Sequence, residues 1–375
     1  MSDIRTLAVV YGTRPEAIKM APLIMALRRE ETLDVTTVNV GQHRDSLMLV
    51  PSVLRMGDDQ KFSISQDGLS LTDISTRAWR TVSRALDRSG CDAVVVQGDT
   101  STALCGALAA AYAHKPVIHL EAGLRTGNPA SPFPEEMHRK LISGVAGLHL
   151  APTKTARANL VREGVPPSDV QVVGNTSIDA SRIALEAWSP ERSAIPADLL
   201  VEGRDLIIFT AHRRENWDKM EDFSRLLRRL ATRYPQIGFV LPLHPNRLVT
   251  DVLRLGTSHL PNVRLLGPMP YDDMMKLLTR ARVVVTDSGG LQEEAAALGR
   301  PTLVIRDTTE RPEGIEAGVA ALAGTDVDTI EKLVCTLMDS PEEYRRMACP
   351  STCYGDGRAA ERALRAIVDF MAGSR

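Results

Sequence analysis

A chain of 375 residues is long enough for two domains with separate cores, and 43% hydrophobic with 25% charged residues is an ordinary globular composition. The net charge of −2 leaves no basic excess for nucleic acid, and no apolar run approaches the roughly 20 residues a membrane span needs. Five scattered cysteines, with no second Cys or His pair beside Cys349 and Cys353, suggest neither a disulfide framework nor a zinc site, and the start lacks a signal-peptide pattern, so a cytoplasmic protein is expected.

Along the first half, strand-like runs at 7–11, 35–40, 93–97, 117–120 and 148–151 alternate with helical patterns at 15–29, 71–87 and 102–114. The second half repeats the scheme, with strands at 205–210, 238–243, 263–266, 283–287 and 302–305 and helices at 220–234, 271–281 and 292–298. The stretch 189–200, with two prolines and little periodicity, reads as a loop. Such alternation predicts two α/β halves with doubly wound parallel sheets, facing each other across a cleft at the carboxyl ends of their strands.

The chemistry-bearing residues fall at those strand ends. After the first strand, Gly12-Thr13-Arg14-Pro15-Glu16-Ala17-Ile18-Lys19 puts Arg14 on the turn and Lys19 one turn into the helix, within reach of a pyrophosphate, although a capped helix with solvated basic residues has the same pattern. Gln97-Gly98-Asp99-Thr100 lifts a carboxylate out of the sheet, and His119-Leu120-Glu121-Ala122-Gly123-Leu124-Arg125 does so again. Ser131-Pro132-Phe133-Pro134-Glu135-Glu136-Met137 puts two acids at N2 and N3 of a helix opened by Pro134, where acids also serve the helix dipole. Three carboxylate clusters on one sheet edge suggest more than structure.

In the second half, Thr210-Ala211-His212-Arg213-Arg214-Glu215-Asn216 reads as a phosphate clamp or acid/base group at a strand end, with His244 a weaker candidate. The run Asp287-Ser288-Gly289-Gly290-Leu291-Gln292-Glu293-Glu294 leads from an apolar strand into a helix. Backbone N–H groups and the helix dipole make that turn an anion site, with the Ser288 hydroxyl as a further donor and Glu293 or Glu294 placed for a ribose diol. Arg306-Asp307-Thr308-Thr309-Glu310-Arg311-Pro312-Glu313 follows the last strong strand, where a salt-bridged surface loop is the plain alternative.

Taken in order, Gly12-Thr13-Arg14-Pro15-Glu16, Gly98-Asp99-Thr100, Glu121-Ala122-Gly123-Leu124-Arg125, Pro132-Phe133-Pro134-Glu135-Glu136, Gly174-Asn175-Thr176, His212-Arg213-Arg214-Glu215-Asn216, Asp287-Ser288-Gly289-Gly290 and Thr308-Thr309-Glu310-Arg311-Pro312 resemble the bacterial UDP-N-acetylglucosamine 2-epimerases of the non-hydrolysing type. The resemblance runs from the first strand to about residue 325. It implies a GT-B fold, two Rossmann-like domains with a cleft between them: 1–173 joined by a returning helix at 356–375, and 174–355 binding UDP. It also implies a homodimer, with UDP-N-acetylglucosamine and UDP as small-molecule partners and neither metal nor cofactor.

By the same resemblance, UDP is eliminated across C1–C2 to a 2-acetamidoglucal and added back with C2 protonated on the other face. Asp99, Glu121 and Glu135 match the family's acid/base carboxylates and His212 its catalytic histidine. Arg14, Lys19 and His212 would hold the diphosphate, Ser288, Gly289 and Gly290 would add donors, Glu294 would take the ribose hydroxyls, and Arg311 matches another active-site residue.

Some positions depart from the pattern. Members often bind a second UDP-N-acetylglucosamine as an activator, in a site that follows a Gly-Gln-His motif, here Gly41-Gln42-His43. Yet Asp45 stands where a carboxylate would repel a diphosphate, Gly68-Leu69 replaces an Arg-Gln pair before Ser70-Leu71, and a His-x-Asn-Pro motif is rearranged to His244-Pro245-Asn246-Arg247. The expectation is an enzyme without the usual activation site or with a rebuilt one. Met274 stands where many members place an aromatic near the uracil, and a softer apolar contact would serve there. A hydrolysing relative that releases N-acetylmannosamine and UDP, and a GT-B glycosyltransferase, are the other two readings.

Overall fold

The computed structural model describes residues 4–42, 50–55, 57–66, 68–243 and 247–373. They form two compact units: one of residues 1–183 with 355–375, the other of 184–354.

In the first unit the chain runs through β1 (Arg5–Tyr11), α1 (Arg14–Leu27), β2 (Leu33–Asn39), β3 (Gln60–Lys61), α2 (Leu71–Ser89), β4 (Ala93–Gln97), α3 (Ser101–Tyr112), β5 (Val117–Leu120), α4 (Glu135–Ser143), β6 (Leu148–Ala151), α5 (Lys154–Arg162), β7 (Val170–Val172) and α6 (Thr176–Ala187), which continues past Ile183 into the second unit. The seven strands pair in parallel in the order β3-β2-β1-β4-β5-β6-β7. Both faces of this sheet are covered, so both sets of alternating side chains are apolar. Ala8, Val10, Val94 and Val96 pack in one core with residues of α2 and α3. Leu7, Val9, Ala93 and Val95 pack on the opposite face with Met20, Leu23 and Leu27 of α1 and with Ala363, Ile367 and Met371 from the end of the chain.

The second unit contains β8 (Leu206–Thr210), α7 (Met220–Arg233), β9 (Gly238–Pro242), α8 (Arg247–Thr257), β10 (Val263–Leu266), α9 (Tyr271–Arg280), β11 (Ala281–Thr286), α10 (Gly289–Ala297), β12 (Thr302–Val304), α11 (Pro312–Glu316), β13 (Ala320–Leu322), α12 (Val327–Asp339) and α13 (Pro341–Met347). Its six parallel strands run β10-β9-β8-β11-β12-β13. Phe209, Val283, Val285, Leu303 and Ile305 share one core with Phe223, Leu227 and Leu230 of α7 and Ile330 and Val334 of α12. The chain then re-enters the first unit as α14 (Ala359–Gly373), where the Asp179 carboxylate accepts from the amides of Ala359 (3.1 Å) and Ala360 (2.9 Å) and so caps its N-terminus. That bond keeps the start of α6 with the first unit, past the boundary at 173 expected from the sequence.

Each sheet reverses its winding once, between β1 and β4 and between β8 and β11, which are the topological switch points of the two units. The expected central strands are all present. β3, β7 and β13 are not legible in the sequence because edge strands of two or three residues carry no alternation to detect. The segment 189–200 contains two single 3₁₀ turns, Pro190–Arg192 and Ala197–Leu199. Pro134 caps α4 from outside, so Glu135 and Glu136 occupy N1 and N2, one position earlier than expected. No described helix is long and apolar enough to cross a membrane.

Candidate active site

In the first unit, the turns after β1 and β4 lie side by side at the switch point. Thr13 caps α1 in a reciprocal capping box with Glu16, which puts Arg14 at the first helical position. Glu16 is 1% exposed. Its Oε2 accepts from the amides of Gly12 (3.1 Å) and Thr13 (2.8 Å) and from the Thr13 hydroxyl (2.7 Å), and its Oε1 accepts from the Thr100 hydroxyl (2.6 Å). Burial raises the Glu16 carboxyl to about 7 despite these donors.

Gly98, at φ +68°, turns the chain out of β4 and presents Asp99, a left-handed conformation that glycine adopts without strain. Three contacts hold this turn. His119 Nε2 donates to the Gly98 carbonyl (2.8 Å), His138 Nδ1 donates to the Asp99 carbonyl (2.8 Å), and Arg139 grips the Asp99 carboxylate through Nε (2.8 Å) and Nη2 (2.7 Å). His119 is fully buried, and burial lowers its imidazole to about 4, so it donates from a neutral ring.

Glu121 follows β5, the strand paired with β4, and sits at φ +61°. A carboxylate held in the left-handed region is strained, a mark of functional sites. It takes hydrogen bonds from Lys19 Nζ, Gln97 Nε2 and Asn175 Nδ2, the last at 2.9 Å. Lys19, expected on a diphosphate, is here the ion-pair partner of Glu121. Glu135 opens α4, the helix whose His138 and Arg139 hold Asp99, and its Oε2 is buried without a hydrogen-bond partner among the described residues. Its neighbour Glu136 is fully buried and structural, accepting from the amides of Thr126 and Gly127 and from Arg139. Asp99, Glu121 and Glu135 thus come from one sheet edge and the helix bound to it.

The second unit builds a different surface on the same plan. Asp287, fully buried after β11, accepts from the amides of His212 (2.8 Å) and Arg213 (2.8 Å) and from Asn216 Nδ2 (3.0 Å), so it shapes the turn after β8. His212 donates from Nε2 to the Pro242 carbonyl (2.9 Å), which orients the ring and puts a proton on that nitrogen. Ser288 caps α10, and Gly289 and Gly290 are its first two residues. A Cβ on Gly289 would collide with the Arg311 guanidinium, so the missing side chain lets a cation lie against a helix N-terminus.

Arg311 is held there by Glu293 (Nε to Oε1, 2.6 Å) and by Glu310. Arg306, 1% exposed, bonds Glu310 (2.7 Å) and Glu215 (3.0 Å), and Arg213 lies 3.6 Å from Glu310. The Tyr354 hydroxyl donates to the Arg311 carbonyl (3.0 Å). The 306–313 loop is therefore salt-bridged, but at Arg306, Glu310 and Arg311 it is interior rather than surface. Of the two acids in α10, Glu293 serves Arg311, while Glu294 accepts from the Tyr271 hydroxyl (2.6 Å). Met274 lies on the same helix as Tyr271 and is buried.

Sequence reasoning missed Glu16, His119, His138, Arg139, Tyr271, Arg306 and Tyr354. A histidine inside Val117-Ile118-His119-Leu120 was the readable signal for one of them; the others depend on contacts far along the chain. His43, Asp45, His244, Pro245 and Asn246 lie outside the described residues.

One unit thus carries Asp99, Glu121 and Glu135 on one sheet edge and the helix bound to it, and the other a glycine-opened helix N-terminus against an ion-paired arginine. The family model of UDP-N-acetylglucosamine 2-epimerase matches residues 25–368. The chain belongs to that family. A probable 2-epimerase from Ralstonia nicotianae is 39% identical over 98% of this chain and 100% of its own length. The Escherichia coli K12 UDP-N-acetylglucosamine 2-epimerase is 40% identical over 96% of this chain and 97% of its own. The crystal structure of the Neisseria meningitidis UDP-GlcNAc 2-epimerase bound to UDP-GlcNAc superposes with a TM-score of 0.92 at 37% identity, over 97% of this chain and 100% of that one. The epimerase chain accordingly has the GT-B fold of two Rossmann-like units.

Proposed function

We propose that this protein is a non-hydrolysing UDP-N-acetylglucosamine 2-epimerase that interconverts UDP-N-acetylglucosamine and UDP-N-acetylmannosamine. The observation that carries the reading is the set of Asp99, Glu121 and Glu135 at one sheet edge, each from a different element. The C2 proton of the sugar is not adjacent to a carbonyl, so direct deprotonation is unfavourable. Loss of UDP across C1–C2 removes the difficulty, and it needs proton-handling groups on both faces and a stabilised leaving diphosphate. Asp99, Glu121 and Glu135 supply the first requirement, with His212 as the catalytic histidine. Arg14, Lys19 and His212 supply the second with donors from Ser288 and the amides of Gly289 and Gly290, Glu294 takes the ribose hydroxyls, and Arg311 is a further active-site residue. Cations and N–H dipoles carry the leaving-group charge, so the reading needs no metal or cofactor.

Proton NMR of the enzyme with UDP-N-acetylglucosamine in D2O tests this. The expected result is a UDP-N-acetylmannosamine anomeric signal, with deuterium entering C2 and the nucleotide retained. Free N-acetylmannosamine with UDP would make the enzyme hydrolysing, and no exchange at C2 would revive the glycosyltransferase.

The same reading includes loss of the usual substrate-activation site. Besides the departures at Asp45 and Gly68-Leu69, two nearby groups are committed to the fold. The Gln42 carboxamide oxygen accepts from the Thr102 amide (3.2 Å) and hydroxyl (2.7 Å), and Ser70 forms the capping box of α2 with Asp73. Initial rates should be hyperbolic in UDP-N-acetylglucosamine. Sigmoidal rates, or a UDP-N-acetylmannosamine reaction that starts only with traces of UDP-N-acetylglucosamine, would show that the site survives. A cytoplasmic homodimer completes the proposal, supported by the exposed apolar side chains of Leu71 on α2 and of Met137 and Leu141 on α4.

A further inference from the structure

We infer that Glu16 is a positioning residue for Asp99, coupling the arginine-bearing turn after β1 to the acid-bearing turn after β4. This rests on the assignment of Asp99 to proton transfer.

Glu16 touches both turns, one with each carboxylate oxygen. One oxygen gathers the Gly12 amide and the Thr13 amide and hydroxyl, the group that sets the direction of Arg14. The other holds the hydroxyl of Thr100, the residue directly after Asp99. Thr100 in turn caps α3, accepting from the Ala103 amide at 3.0 Å, so its hydroxyl is fixed from both sides. With His119 on the Gly98 carbonyl and His138 on the Asp99 carbonyl, three consecutive residues are pinned from three elements. The Glu16 contact ties the β1 turn into that frame.

The carboxylate is also more than a helix cap. A capping-box acid needs only the cap amide. Glu16 serves that amide and three further donors, and does so at 1% exposure, where a carboxylate is retained only with its donors in place. In Glu16→Gln the amide oxygen keeps the Gly12 and Thr13 donors while the NH2 group meets the Thr100 hydroxyl oxygen, which accepts as well as donates, so that variant keeps the bridge and Glu16→Ala removes it from both turns.

A double-mutant cycle between Glu16 and Asp99 separates positioning from general folding support. Glu16→Ala should lower kcat about 10- to 100-fold with KM for UDP-N-acetylglucosamine within about two-fold, Glu16→Gln should restore most of that loss, and adding Glu16→Ala to Asp99→Asn should cost almost nothing further. Multiplicative losses in the double variant, or a raised KM at unchanged kcat, would overturn the inference. Thr100 provides a second route if Glu16→Ala does not fold. Thr100→Ser keeps both hydrogen bonds and should retain wild-type kcat, whereas Thr100→Ala should lose it non-additively with Asp99→Asn. Full activity in Thr100→Ala, or in Asp99→Asn itself, would remove the coupling. An inactive wild-type enzyme would instead refute the epimerase reading on which the inference stands.

Discussion

Glu16 and His119 are both fully interior and titrate in opposite senses, which gives the first unit a distinctive pH response. Glu16 rises from 4.5 to about 7, so between those values the folded chain binds more protons than the unfolded one and stability falls as pH increases. His119 drops from 6.5 to about 4, so from 4 to 6.5 the unfolded chain binds more protons and stability rises with pH. Each slope approaches at most about 1.4 kcal/mol per pH unit, and from pH 4.5 to 6.5 they oppose one another. Relative to wild type, His119→Asn should therefore lose stability on going from about pH 5 to about 6.5, and Glu16→Gln should gain it. Urea midpoints at the two pH values read both signs, and parallel shifts in the two variants would refute the balance. At this scale the sequence showed which residue types were present but not which were interior. Glu310 and Arg311 read equally well as a surface pair, and only packing buried both and laid Arg311 against Gly289.

Among the elements, the last helix behaves unlike its neighbours, because α14 completes a unit that the chain left about 170 residues earlier. Ala363, Ile367 and Met371 cover the face of the first sheet that carries Leu7, Val9 and Val95, beside α1. A fragment of residues 1–183 leaves that apolar face in water, while residues 184–354 are contiguous and carry their own core. The fragment 184–354 should fold alone with a cooperative thermal transition. The fragment 1–183 should be soluble only when co-expressed with, or linked to, residues 355–375, as judged by size-exclusion and circular dichroism. A soluble, cooperative 1–183 would show that α14 is dispensable. The long helices were readable from periodicity, as with the pattern at 71–87 that the structure extends to Leu71–Ser89. The start of α10 was not, since Gly289 and Gly290 have low helix propensity and are helical because Ser288 caps them and Arg311 packs on them.

For the whole molecule, alternation of apolar strands with amphipathic helices sufficed for two parallel α/β units, because a strand covered on both faces must be apolar at every position, as Ala93-Val94-Val95-Val96 is. The ordered motifs sufficed for the family, because glycine turns and strand-end acids are local features that survive without knowledge of the fold. Strand order was beyond the sequence. The switch points between β1 and β4 and between β8 and β11 arise from which strands pair, and pairing is a long-range choice that no window of residues encodes. The partners of the candidate residues were equally hidden: Lys19 meets Glu121, Asp99 meets Arg139 and Arg311 meets Glu293 only once the chain has closed distances of 18 to 102 residues. By itself the sequence determined which chemical groups stand at the strand ends, since turn glycines and capping acids act locally. Tertiary structure decided which are buried, which are paired and which turn holds which, since burial and hydrogen bonding are properties of the packed whole.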